Sequence, residues 1–483
     1  MVVQSKILHF VLFPFMAQGH MIPMTDIAKL LAHHGVIVTV VTSPANAERF
    51  AATLGRAMES GLKIRVIELE FPCEGGLPEG CENIDMLPSL SLGKEFFGAA
   101  NLFQEPAERL FEELKPKPNC IISDMCLPYT SYIAKKFDVP RITFNGFSCF
   151  SILCIDLIYS SRVLERVNSE TEYFVVPDLP DRIELTKNQL PEAMHDDLKE
   201  FGNQVIVAET LSYGMVINSF EELEQEYVNM YKKFRADKAW CVGPVSLCNK
   251  NNMDMLQRGN KSSINGHDCL KWLDSQQPES VIYVCLGSLC NLIPAQMIEL
   301  GIGLEISKRP FLWALRAGDQ QKEVEQWMVV SGFEERIKGR GFISRGWVPQ
   351  VAILSHTAIA GFLTHCGWNS TLESITAGIP MITWPLFADQ FLNEKLVVKV
   401  LRTGLSVGAS YTLTWGKEEK IGVLVTQENV KNAIEMLMNG EEKEERRKRV
   451  KELSKLAMEA MEEDGSSHRN ISLLIKDIAE QVR

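Results

Sequence analysis

Trp347–Gln390 reads WVPQVAILSHTAIAGFLTHCGWNSTLESITAGIPMITWPLFADQ, and the middle of this stretch decides the fold. Thr357–Phe362 is a short apolar run suited to a buried strand. It leads through Thr364-His365-Cys366-Gly367 into Asn369-Ser370-Thr371, which opens a helix over Ser370–Ala377. Strand, glycine turn and helix make up the unit of a parallel sheet with crossover helices. Gly367 allows backbone to approach a ligand closely, and Asn369 or Ser370 suits an N-cap. The exposed N–H groups of the first turn and the helix dipole form an anion site, to which His365 and the Ser370 hydroxyl add donors. Glu373, one turn further on, can accept two hydrogen bonds from the vicinal hydroxyls of a ribose. Trp347 offers a flat face for a base, and Asp389 and Gln390 follow a strand end with an acceptor and an amide for sugar hydroxyls. Together these describe a site for a nucleotide sugar. Trp384, Phe387, Trp272 and Trp240 read as packing instead. The Asn369-Ser370-Thr371 sequon, at a helix start, is a poor glycosylation acceptor.

Outward from this stretch the same alternation recurs twice. In the first half, strands are expected at Ile7–Phe15, Val36–Thr42, Ile64–Phe71, Asn119–Asp124, Arg141–Asn145 and Met215–Asn218, with helices at Met21–His34 and Asn46–Glu59. In the second, strands at Ser280–Leu286, Phe311–Arg316, Gly341–Ser344 and Met381–Trp384 alternate with helices at Ala295–Ser307, Val351–Ser355 and Ala388–Leu401. The chain then turns helical over Glu428–Met438, the charge-laced Glu441–Met461, and Ser467–Val482. Between the halves, SLCNKNNMDMLQRGNKSSINGHD (Ser246–Asp268) lacks an apolar period and reads as a linker. The expected organisation is an N-terminal domain over 1–245, a linker over 246–268, a C-terminal domain over 269–460, and a last helix over 461–483 packing back on the N-terminal domain. The fold class is α/β: two Rossmann-like, doubly wound domains facing a cleft, with ligands at strand C-termini.

Composition narrows the partners. The chain has 483 residues and a formal charge of −12, so a phosphate backbone or an anionic membrane surface is disfavoured and nucleic acid is not an expected partner. The 12 cysteines are scattered with no Cys-x-x-Cys pair, which fits reduced, buried thiols in a cytoplasmic protein. Ile7–Met16 carries His and Pro and no small-residue cleavage site, so it reads as a first strand and not a signal peptide. No apolar run reaches the ~18 residues of a membrane span.

The stretch Trp347–Gln390 resembles the donor-binding signature of plant family 1 UDP-dependent glycosyltransferases. The resemblance extends to FPFMAQGHMIP near the start, SDMCLP at Ser123–Pro128 and VCLGSL at Val284–Leu289. It implies a fold of GT-B type and transfer of a sugar from a UDP-sugar to a small lipophilic acceptor. It further implies that Trp347 stacks on uracil, that Gln350 and Glu373 hold ribose, and that His365, Asn369 and Ser370 hold the diphosphate. Ser288 would donate to a phosphate, while Trp368, Asp389 and Gln390 would grip the sugar. In this family a final Gln accompanies glucose and a final His galactose, so Gln390 implies UDP-glucose as co-substrate; Trp368, in place of Arg, argues against glucuronic acid. Val348 and Ala360 stand where the family has Ala and Gly, without disturbing the ligands. The N-terminal phrases are similar to the branch that glucosylates flavonoid, triterpenoid and steroid acceptors.

An inverting transfer needs a base behind the anomeric carbon. His20 follows the first strand and precedes a helix, which places it on the strand's C-terminal edge. Imidazole, with an ordinary pKa of about 6.5, is largely neutral at physiological pH and can take a proton. Asp124 ends another predicted strand and can stabilise the imidazolium. His9, His33 and His34 have the same chemistry but lie within a strand or at a helix end. The resemblance assigns base and partner to the same two residues, His20 and Asp124. No Asp-x-Asp motif is presented as a metal ligand, so neither a metal nor a further cofactor is expected, and the chain is expected to be a monomer. The readings set against this one are a UDP-sugar transferase using galactose, xylose or glucuronic acid, a nicotinamide-dependent oxidoreductase, and a non-catalytic metabolite binder. The first turn, FMAQGHM, lacks the Gly-x-Gly-x-x-Gly of the oxidoreductase reading.

Overall fold

The structure is a computed structural model that describes residues 7–72, 76–191, 198–260, 266–290, 292–316 and 319–482. Cys73 and part of the expected linker lie outside the described residues. The chain forms two compact units: Met1–Cys149 with Ala193–Asn260 and Met458–Arg483, and Phe150–Glu192 with Lys261–Ala457.

The first unit is built on a seven-stranded sheet. Its strands are β1 (His9–Phe13), β2 (Ile37–Thr42), β3 (Ile64–Glu68), β4 (Cys120–Asp124), β5 (Arg141–Asn145), β8 (Gly214–Ile217) and β9 (Ala239–Cys241), in the order β3-β2-β1-β4-β5-β8-β9. β6 (Phe174–Val175) and β7 (Glu184–Leu185) form a separate antiparallel pair in the second unit. All neighbours in the large sheet are parallel. β1, β4, β5 and β8 are buried along their whole length, as expected of strands covered on both faces. Edge strand β3 carries the half-buried Arg65 and the exposed Glu68, charges that discourage further pairing. The order reverses between β1 and β4, with Phe13 opposite Ser123, so the chain ends leaving β1 and β4 diverge at one crevice.

The second unit repeats the design with β10 (Val281–Cys285), β11 (Phe311–Leu315), β12 (Gly341–Arg345), β13 (Ile359–Thr364), β14 (Met381–Thr383) and β15 (Gly404–Ser406), ordered β12-β11-β10-β13-β14-β15 and all parallel. Here the reversal falls between β10 and β13, where Cys285 pairs with Thr364. Phe311, Trp313, Phe333, Trp384 and Phe391 fill its core. Both units are Rossmann-like, and the fold is of GT-B type.

Several expectations shift. β13 runs two residues later than the Thr357–Phe362 expected, with the apolar Leu363 and the β-branched Thr364 both fully buried in it. The helix expected over Ala388–Leu401 starts at Gln390 and changes to a π-turn at Leu396–Val400. Residues 150–192 belong to the second unit, not to the first as the 1–245 boundary implied. The polar stretch after Val245 is not a free linker: Asn252–Leu256 is helical, and residues up to Asn260 join the first unit. Its polar side chains bind the helix Gln18–His33. Arg258 Nε lies 2.9 Å from Asp26 Oδ2, and the Lys29 ammonium donates to Asn249 Oδ1 at 2.5 Å. A lack of apolar period hid these contacts, since the segment docks through charges and amides. The last helix, Ser466–Gln481, is tied to the β9 edge by Asn470 donating to the Cys241 carbonyl at 2.9 Å. Its Asp477 accepts from Lys238 at 2.6 Å and from the Tyr213 hydroxyl at 2.8 Å. The described cysteines are free thiols, and no described helix is long and apolar enough to cross a membrane.

Candidate active site

In the first unit the reversal of strand order brings two distant residues together. His20 lies in the first turn of the helix Gln18–His33 that follows β1, and Asp124 is the last residue of β4. His20 Nδ1 and Asp124 Oδ2 are 2.8 Å apart; the carboxylate is fully buried, while 23% of the imidazole side chain is exposed. Asp124 Oδ1 accepts the Cys126 N–H at 2.9 Å, so both carboxylate oxygens are held. An ionised carboxylate can only accept, so the imidazole proton sits on Nδ1 and the lone pair on Nε2. Two of the other candidates, His9 and His34, are occupied structurally. His9 is fully buried between the Pro116 carbonyl (2.7 Å) and the Thr39 hydroxyl (2.8 Å), and His34 Nδ1 bonds the Leu30 carbonyl at 2.9 Å. Burial pulls the pKa of both rings below the ordinary range.

Behind Asp124 runs a buried polar chain that the sequence did not announce. Arg141 Nε donates to Thr130 Oγ1 at 2.8 Å, Thr130 Oγ1 to Ser123 Oγ at 2.8 Å, and Ser123 Oγ to the Asp124 carbonyl at 3.1 Å. Burial lowers the Arg141 pKa to about 10 against the opposing pull of Glu209 and Asp124. In front of the imidazole stands Phe15, edge-on at 5.4 Å. Phe15 stacks on Phe97 at 5.2 Å, and Phe97 on the half-buried Phe201 at 4.2 Å. Phe71 and Phe96 stack beside them at 5.3 Å. Further along the chain, Phe147 is half-buried in the first unit, whereas Phe150 is fully buried in the second.

In the second unit, Gly287 and Gly367 enclose the His365 ring. A Cβ at Gly287 would fall 2.5 Å from Nε2 and one at Gly367 2.4 Å, so only glycine fits either place. Gly287 also has φ +84°, and Cys366 holds φ +64°, a strained value for a residue with a side chain. Part of the His365 residue surface stays accessible, but its Nδ1 is buried without a protein hydrogen-bond partner. Burial drives its pKa down to about 4, opposed by a hydrogen bond with the Cys285 backbone, so the ring is neutral. It meets a phosphate as an uncharged ring whose one N–H already serves the Cys285 backbone.

The helix here spans Trp368–Ala377 with Gly367 as N-cap and no side-chain cap bond. It starts before the Ser370 expected, so Asn369 and Ser370 lie in the first turn and do not cap it. Ser370 Oγ instead accepts from Gln350 Nε2 at 3.0 Å, and the same amide donates to Glu373 Oε2 at 2.8 Å. Tyr283, fully buried on β10, donates to Gln350 Oε1 at 3.2 Å and sets which way that amide points. Ser288 is half-buried in the turn after β10, Trp347 and Asn369 are half-buried, and Val348 and Trp368 are buried. At the strand end beyond β14, Gln390 Oε1 accepts the N–H groups of Leu386 (2.8 Å) and Phe387 (3.1 Å). Its amide nitrogen is therefore the end available to a sugar. Asp389 Oδ2 accepts from Asn393 Nδ2 at 2.7 Å, which also donates to the Cys366 carbonyl at 2.9 Å. Asn393, fully buried, links Asp389 to the turn after β13. Nothing in its spacing marked it. Trp384 and Phe387 are buried core residues, as read from the sequence.

The chain is similar to known proteins along essentially its whole length. Residues 250–459 match the family described as UDP-glucoronosyl and UDP-glucosyl transferase. UDP-glycosyltransferase 73C3 of Arabidopsis thaliana is 56% identical over 98% of this chain and 96% of its own length. UDP-glycosyltransferase 73C25 of Barbarea vulgaris is 55% identical over 98% of this chain and 97% of its own. The crystal structure of Glycyrrhiza uralensis UGT73P12, complexed with glycyrrhetinic acid 3-O-monoglucuronide, superposes with a TM-score of 0.91 at 35% identity, covering 98% of this chain and 96% of that one. Relatedness along essentially the whole chain, together with two Rossmann-like units, shows that this protein belongs to the plant family 1 UDP-dependent glycosyltransferases.

Proposed function

We propose that the protein transfers glucose from UDP-glucose to a hydroxyl of a small lipophilic metabolite, with inversion, using His20 as the general base. The observation that carries this is the 2.8 Å contact between His20 Nδ1 and the buried Asp124 carboxylate, which leaves Nε2 as a proton acceptor. The acceptor O–H gives its proton to Nε2 while its oxygen bonds to the anomeric carbon. The carbon–oxygen bond to UDP breaks, and the α-linked donor becomes a β-glucoside. Asp124 stabilises the imidazolium formed. On the donor side, the uncapped first turn of Trp368–Ala377 receives the charge that develops on the diphosphate, with the uncharged His365 ring beside it. Gln350 and Glu373 take the ribose, Trp347 the base, Ser288 and Asn369 further phosphate oxygens. Trp368, Asp389 and the outward amide of Gln390 take the sugar.

Support for glucose comes from Gln390, and support for a flat polycyclic acceptor from the phenylalanine stack that starts at Phe15, beside His20. The glycyrrhetinic acid glucuronide bound to UGT73P12 favours the triterpenoid class among steroid, flavonoid and triterpenoid acceptors. The test is UDP release with UDP-glucose, UDP-galactose, UDP-xylose and UDP-glucuronic acid against a panel of such acceptors. Replacement of His20 by Ala should cost about 10²–10⁴ in kcat, the usual contribution of a positioned base. Undiminished glucoside formation by that variant, or preference for another donor, would refute the corresponding part of the reading.

A further inference from the structure

Beside the catalytic pair lies a third group that the transfer does not use. Cys126, two residues beyond Asp124, is half-buried, and its Sγ, one Asp124 carboxylate oxygen and a ring nitrogen of His20 all lie within 4.8 Å of one another. A thiol, a carboxylate and an imidazole are the donor set of three-coordinate protein sites for zinc and related borderline-soft divalent cations, which leave a fourth position open. Such ions bind at about 2.0 Å from nitrogen and about 2.3 Å from sulfur, so rotation of the Cys126 side chain closes the remaining gap. We propose that His20, Asp124 and Cys126 form an inhibitory site for a thiophilic divalent cation such as Zn²⁺. The proposal rests on the reading of His20 as the base.

The chemistry explains why such an ion inhibits. In the resting pair, Nδ1 carries the proton toward Asp124 and Nε2 carries the lone pair. Ligation through Nδ1 needs the lone pair there, so the ring proton moves to Nε2. A ring with its proton on Nε2 can donate but cannot accept a proton from the acceptor hydroxyl. The ion also takes the Asp124 oxygen that would have stabilised an imidazolium. Burial and the neighbouring Asp124 carboxylate keep the Cys126 thiol protonated well above the ordinary thiol range when no metal is bound. Binding therefore forms a metal–sulfur bond and releases one proton to the buffer, the cation replacing the proton's charge.

The test uses the full chain with Co²⁺ as a spectroscopic probe and Zn²⁺ as the inhibitor. Co²⁺ should give a thiolate-to-metal charge-transfer band in the near ultraviolet that is absent in Cys126→Ala and Cys126→Ser and weakened in His20→Ala. Zn²⁺ should abolish UDP release, and EDTA should restore it. Without metal, Cys126→Ser, whose hydroxyl can replace the thiol's hydrogen bond to Asp124, should turn over like the parent, and Cys126→Ala is read against its own metal-free rate. Their half-inhibitory Zn²⁺ concentration should rise by at least the ~10–100-fold that loss of a supporting group costs a metal site. Equal zinc sensitivity in parent and Cys126 variants, with no thiolate band, would overturn the site and leave the base reading intact. A thiolate band without inhibition would overturn the tautomer argument and the role of His20 with it.

Discussion

The smallest scale is one hydrogen bond. Because Asp124 is buried and both its oxygens are engaged, the His20 tautomer is set by geometry and not by solvent. Asp124→Asn keeps the shape but lets the amide donate to Nδ1, which moves the proton to Nε2. UDP release should then fall by about 10²–10⁴, as for a triad whose orienting acid is amidated, with acceptor and donor KM little changed. His365 supports a prediction on pH. Its folded pKa of about 4 lies below the ordinary 6.5, so between these values the unfolded chain binds more protons than the native one. Stability present above pH 6.5 is therefore lost as the pH falls toward 4, and His365→Gln should flatten that part of a thermal-melting profile. Gly287→Ala forces a Cβ against the same ring at φ +84° and should weaken UDP affinity in calorimetry while leaving His20 untouched. Among the expected site residues, Glu373 was singled out by its place one turn beyond the helix start, whereas His20 and His365 drew their weight from the family resemblance of the stretches around them. Tyr283, Asn393 and the Arg141–Thr130–Ser123 chain were not legible, because a buried hydrogen bond across 67 residues, as between Tyr283 and Gln350, leaves no periodic mark.

Among elements, the polar stretch beyond Val245 carries the sharpest lesson. Local composition predicts a linker, whereas its helix Asn252–Leu256 and the following Arg258 dock on the helix Gln18–His33 through charge. Asp26 is 2% exposed at the side chain and Arg258 9%, so removing Asp26 strips a buried ion pair of its carboxylate. Asp26→Ala should cost roughly 3–5 kcal/mol in urea unfolding, the usual penalty for such a break, with the kcat of the surviving folded fraction unchanged. A loss of kcat without a loss of stability would show that this network serves catalysis instead. Strand elements were read closely, since burial on both faces writes a continuous apolar run. Helix starts were read less well. The helix Trp368–Ala377 begins at a glycine whose value is the absence of a side chain, not a capping oxygen.

For the whole molecule, each unit carries its own chemistry at its own strand reversal. Saturating UDP stabilises whatever binds it by about 2.7 kcal/mol at a hundredfold excess over Kd. Hydrogen exchange should therefore show UDP protection concentrated in β13 and Trp368–Ala377, with the helix Gln18–His33 little changed. Protection centred on β1 and that helix would assign the nucleotide to the wrong unit.

The order of strands and helices, the glycine turn into the helix Trp368–Ala377 and the His20 candidate were legible in the sequence. Apolar periodicity and glycine placement are local properties, and each segment reports them by itself. Only the tertiary structure decided that His20 meets Asp124, that Gln350 joins Ser370 and Glu373, that Cys126 stands beside the base, and that residues 150–192 belong to the second unit. Those outcomes depend on strand order and on polar groups finding partners far along the chain, and a pairing of that kind exists only once both sheets have formed.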